Sequence, residues 1–169
     1  MNSFGLRLMH REAMRRLDDA EAFQAVRPDS DAGYLLKLLA LELLLKFVRH
    51  TSAPDQVKAF GHSYDQIFAA LPGSVQTKLL ALAGERIGPS GLTEPGPILR
   101  DWSGNFIALR YPYEKYQDDT AEQYAQRGED WIAAGASNEE AVFRFHPEEL
   151  LGMLYALRLE ADERLVGLS

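Results

Sequence analysis

The segment from Tyr34 to Val48 is leucine-rich on nearly every side, and only Lys37, Glu42 and Lys46 interrupt it. A bilayer span needs about 20 apolar residues in a row. This stretch is shorter and carries three charges, so it predicts a helix of about 31–50 buried at the centre of a bundle, with neighbours covering most of its surface. Polar residues on such a helix must find partners or lie at a gap between helices.

Other segments carry the same period. Leu6, Met9, Ala13, Leu17 and Ala20 recur at spacings of three and four, which predicts a helix over 6–23 stopped by Pro28. Ser63 and Gln66 have the spacing of a capping box, which predicts a short helix from Ser63 to about Leu71. Ser74 is placed to cap a fourth helix, with Val75, Leu79, Leu82, Ala83 and Ile87 inward, ended by Gly88-Pro89-Ser90-Gly91. A loop to Pro97 precedes a helix of about 98–110, with Trp102, Phe106 and Leu109 on one side and Pro112 at its end. The polar region 117–145 is ambiguous, mixing a short helical pattern at 121–134 with the alternating run Ala141 to Phe145. Pro147 suits a first helical position, Glu148 and Glu149 complement the helix dipole, and Leu150, Leu151, Leu154, Leu157, Ala161 and Leu165 supply a final apolar stripe.

A chain of 169 residues that is 46% hydrophobic is long enough for one domain with a sizeable core. The start of the chain is charged from Arg7 onward and lacks the apolar region of a secretion signal. With no cysteine, disulfides and thiolate chemistry are excluded, and a soluble, cytoplasmic protein is expected. A net charge of -7 speaks against non-specific nucleic-acid binding, which needs an excess of Lys and Arg on the binding face. Arg7, Arg11 and Arg15 form one basic stripe, expected to be a solvated helix face.

No P-loop, nucleophile elbow or zincin motif is present. His10, His50, His62 and His146 lack metal-ligand spacing, so neither a metal nor a cofactor is expected. Glu42 and Lys46 stand four apart in the favourable order, either as an intrahelical ion pair or at the edge of a polar site. His62 precedes the short third helix, whose positive end favours a neutral ring hydrogen-bonded to a neighbouring helix or acting in catalysis. Arg110-Tyr111-Pro112-Tyr113-Glu114 gathers a guanidinium, two phenols and a carboxylate at a helix end, a mixture that locks a bundle corner or binds a phosphate or base.

The order of Glu42-Leu43-Leu44-Leu45-Lys46, then Gly61-His62-Ser63, then Leu109-Arg110-Tyr111-Pro112-Tyr113-Glu114 resembles the HEPN domain (higher eukaryotes and prokaryotes nucleotide-binding). The likeness covers about 31–114, with the terminal helix 147–166 completing the domain. It implies an all-α, up-and-down bundle of four or five main helices with short accessory helices. It further implies a homodimer from a prokaryotic toxin-antitoxin, phage-defence or RNA-processing system, with a nucleotidyltransferase or antitoxin partner. Ribonucleases of that family carry an arginine and a later histidine with four to six residues between them, and no Arg–His pair here has that spacing.

The expected function is therefore a non-catalytic module that binds a nucleotide, RNA or a protein partner through Glu42, Lys46, His62, Arg110, Tyr113 and Glu114. Two alternatives stand beside it. One is a metal-independent ribonuclease in which His62 moves the proton and Arg110 stabilises the phosphorane. The other is a structural homodimer without a ligand.

Overall fold

A computed structural model describes residues 1–54, 60–137 and 140–168. Among these the chain is all-helical: α1 (Ser3–Val26), α2 (Ala32–Ser52), α3 (Tyr64–Ala69), α4 (Gly73–Ile87), α5 (Pro95–Ala108), α6 (Ala121–Ala133) and α7 (Pro147–Val166). Short 3-10 turns lie at Gly91–Thr93 and Pro112–Lys115.

The leucine-rich helix is central, as its sequence demands. α1 packs along it as a hairpin, α7 lies against it, and α4 lies against α7, while α3 and α5 cover another side. Leu38, Leu41, Leu44, Leu45 and Phe47 of α2 are fully buried and meet Trp102 of α5 and Met153 and Leu157 of α7 in one core. The α1 stripe buries Leu6, Ala13, Leu17 and Ala20 against it. None of the helices is long and apolar enough to cross a membrane, among the described residues. The basic stripe of α1 is a solvated face: Arg15 is 3.7 Å from Glu12, and Arg7 donates to the Leu168 carbonyl at 2.8 Å.

Two cap expectations fail. Ser63 precedes α3, but its side chain accepts nothing. The first helical N–H, that of Tyr64, instead donates to Ser103 Oγ of α5 at 2.9 Å, so a tertiary partner does the capping. Ser74 lies inside α4, which starts after Pro72. The capping box that does form is Thr120 with Gln123, each side chain accepting from the other's backbone N–H, at the start of α6.

That helix differs from the rest, because it buries none of its residues. The run Ala141 to Phe145 after it alternates like a strand, yet no strand forms among the described residues. It is an irregular strap pinned to the bundle by side-chain hydrogen bonds. Trp102 Nε1 and Tyr34 Oη both donate to the Phe145 carbonyl, at 3.1 and 3.2 Å, and Asn105 Nδ2 donates to the Arg144 carbonyl at 2.8 Å. His146 then turns the chain into α7 in the left-handed region, φ 46°.

Candidate functional site

Glu42 is 4% exposed on a helix covered nearly all round, and both of its oxygens are satisfied. Lys46, one turn on, donates to Oε1 at 2.6 Å. His62, from the loop ahead of α3, donates from Nδ1 to Oε2 at 2.7 Å. The expected intrahelical pair thus exists, and it is one half of a three-residue cluster that ties α2 to the α3 loop. The carboxylate is buried while Lys46 and His62 reach solvent, the His62 side chain being 44% exposed. Because the carboxylate accepts at Nδ1, the proton sits there and Nε2 is left to the outside.

Arg110 reaches the same place by another route. The His62 ring packs on Phe106 with centroids 5.0 Å apart, and the Arg110 guanidinium carbon lies 5.2 Å from the centre of that ring. An imidazole and a guanidinium from segments distant in sequence therefore share one aromatic platform on α5. Beneath them the Tyr64 hydroxyl donates to the Leu38 carbonyl at 3.2 Å. Burial, and then the Glu42 carboxylate, push the phenol far above its ordinary value, with Arg110 pulling the other way. Tyr64 is a neutral prop at physiological pH.

Tyr113 and Glu114 are placed apart from this group. They lie exposed on the turn Pro112–Lys115, where the Tyr111 and Tyr113 rings meet edge to face at 6.5 Å. No hydrogen bond or ion pair joins them to Glu42, Lys46 or His62 among the described residues.

Several polar contacts were illegible in sequence because their partners are far apart along the chain. His146 donates from Nε2 to Asp101 at 2.9 Å, and His10, buried on α1, donates from Nε2 to Asp162 at 2.8 Å. Glu160, 3% exposed on α7, receives Lys78 of α4 at 2.7 Å and Arg164 at 2.6 Å. Burial alone would raise the Glu160 carboxyl, but the Lys78 and Arg164 cations beside it outweigh that and hold the group below its usual value. Asn105 is buried on α5 and donates to both Tyr34 and the strap. For His10, Asn105 and Glu160 the signal that could have found them is the one that found Glu42: a polar residue at an inward position of an apolar stripe.

Histidine–carboxylate pairing recurs three times, yet no group of three or more His, Asp or Glu is arranged to hold a metal ion among the described residues. A cleft of about 760 Å³ lies elsewhere, between α6 and the strap, with Tyr116, Tyr124, Trp131 and Phe143 on its walls. Compared with family models, curated proteins and solved structures, the chain matches none.

Proposed function

We propose that the chain is a HEPN-like helical module that binds the phosphate of a nucleotide or RNA at the Lys46, His62 and Arg110 face. The observation that carries this reading is the buried Glu42 carboxylate, which holds Lys46 and His62 at the surface, while a guanidinium packs on the same Phe106 ring as His62. A cation held in place loses little side-chain freedom when an anion arrives, and planar guanidinium and imidazole donors suit phosphate oxygens. Tyr111, exposed and next in sequence to Arg110, adds stacking surface. Replacing both His62 and Arg110 by Ala is expected to weaken single-stranded RNA binding at least tenfold. The salt dependence should flatten by about 0.7 in log–log slope for each phosphate that the variant no longer neutralises. If the double variant only melts lower and binds RNA unchanged, the cluster is structural.

The Nδ1 bond to Glu42 favours a second reading. A carboxylate that orients an imidazole through one nitrogen and leaves the other to solvent is the arrangement of a general base. On that reading His62 Nε2 takes the proton of a ribose 2′-hydroxyl and Arg110 stabilises the charge developing at phosphorus. RNA cleavage in EDTA, abolished by His62→Ala and reduced by Glu42→Gln, supports it. Intact RNA across a broad panel of sequences rejects it in favour of binding alone.

A further inference from the structure

Helix α5 has a second polar side. Phe106 and Arg110 point toward His62, whereas Arg100, Gly104 and Ala108, spaced four apart, share the opposite face with Asp101. That face is the floor of a cleft of about 360 Å³ to which Lys115 and the strap residue Arg144 also contribute. In a chain of net charge -7, Arg100, Lys115 and Arg144 line this cleft with a single carboxylate, Asp101. That carboxylate already accepts from His146 at 2.9 Å and lies 3.9 Å from Arg144. No ion pair engages Arg100 or Lys115 among the described residues. Arg144 is already engaged, so the charge left for a ligand is that of Arg100 and Lys115, and cations on a cleft wall are suited to a phosphate.

Two further features say what carries that phosphate. A glycine inside a helix destabilises it relative to alanine. At Gly104 no packing demand explains it, because a Cβ there would meet nothing within 4 Å. What the missing side chain supplies is an open floor. The wall Ala141 to Phe143 is also shared with the aromatic cleft, so a base-binding surface of Tyr124, Trp131 and Phe143 adjoins the basic one. Asp130 and Glu140 on the aromatic side oppose a run of phosphates but accept from the amino group of a base.

We propose that this cleft binds a nucleoside monophosphate, its phosphate held by Arg100 and Lys115 and its base set against the aromatic wall. The site lies on the far side of α5 from His62 and goes beyond the function proposed above. AMP titrated into the isotope-labelled protein and followed by amide chemical shifts tests it. The expected result is movement of Gly104, Ala108, Val142 and Phe143, with quenching of Trp131 fluorescence. Binding should be at least tenfold weaker in the Arg100→Ala/Lys115→Ala variant and at least tenfold weaker for inorganic phosphate. Gly104→Leu, which fills the floor while favouring helix, should abolish binding without lowering the melting temperature. Shifts confined to His62 and Phe106 overturn the proposal while leaving the RNA-site reading standing. An absence of shifts at millimolar AMP, unchanged affinity in both variants, or inorganic phosphate binding as tightly as AMP also overturns it.

Discussion

The bundle and its periphery handle polar groups in opposite ways. In the bundle, Glu42 and Glu160 are nearly inaccessible, and each carries two cationic or histidine partners, so their charges serve to join one element to another. At the periphery, α6 buries nothing, Tyr124 and Ile132 stand exposed, and Arg100 and Lys115 face a cleft instead of a carboxylate. Charges paired between elements hold a fold, and those that face a cleft without a counter-charge are available to a ligand. The Glu42 cluster belongs to both kinds, because its carboxylate is buried while its partners are not.

The sharpest way to break this comparison is to truncate one apolar residue in each region. Leu44 on α2 is fully buried, and Leu44→Ala should cost about 2–5 kcal/mol through reduced burial and a cavity. For a chain of this size that lowers the melting temperature by about 2–4 °C per kcal/mol. Trp131→Ala, a larger deletion on α6, should stay within about 0.5 kcal/mol of the parent by calorimetry. Equal costs would mean that α6 is part of the core.

Charge gives the next largest contrast. Glu160→Gln should destabilise by about 1–3 kcal/mol at neutral pH, because Lys78 and Arg164 lose a charged acceptor. The folded carboxyl is held below its usual value of 4.5, so its contribution is present above that value. It disappears as pH falls through the folded value. Parent and variant should therefore converge in denaturant midpoint below about pH 4.5 and diverge above it. A constant difference across that range would show that packing, not charge, makes residue 160 matter.

How much of this was legible in the sequence follows the same division. The stripes of α1, α2, α4 and α7 were readable because each buries one face, and burial is what leaves a period of three and four. Region 117–145 was legible only in part: its helical pattern at 121–134 is α6 (Ala121–Ala133), but that helix has no buried face to anchor the rest of the reading. The strap alternates like a strand but pairs with Trp102, Asn105 and Tyr34 side chains instead of another backbone. Glu42 with Lys46 was readable as a local pair. Its bond to His62 spans 20 residues and depends on how the α3 loop returns to α2. Arg110 meets His62 only through Phe106.

The smallest effect sharpens the contrast at the one place where local sequence decides a structure. Thr120 accepts from the Gln123 backbone N–H at 3.2 Å, and Gln123 Oε1 accepts from the Thr120 N–H at 2.8 Å, so two donors at the start of α6 are satisfied within four residues. An N-cap of this kind stabilises its helix by about 0.5–2 kcal/mol. α6 has no tertiary burial to compensate for its removal, so Thr120→Ala should fray the helix from its first turn. Hydrogen exchange at Glu122 to Gln126 should accelerate about 2- to 30-fold, while α2 amides and the global melting temperature stay unchanged. Ser63→Ala, at the box that the sequence suggested and the structure lacks, should leave exchange in α3 as it was, since Tyr64 N–H is held by Ser103. If Ser63→Ala frays α3 as Thr120→Ala frays α6, local capping governs both regions, and the distinction between a bundle tied by tertiary bonds and a locally stabilised periphery fails.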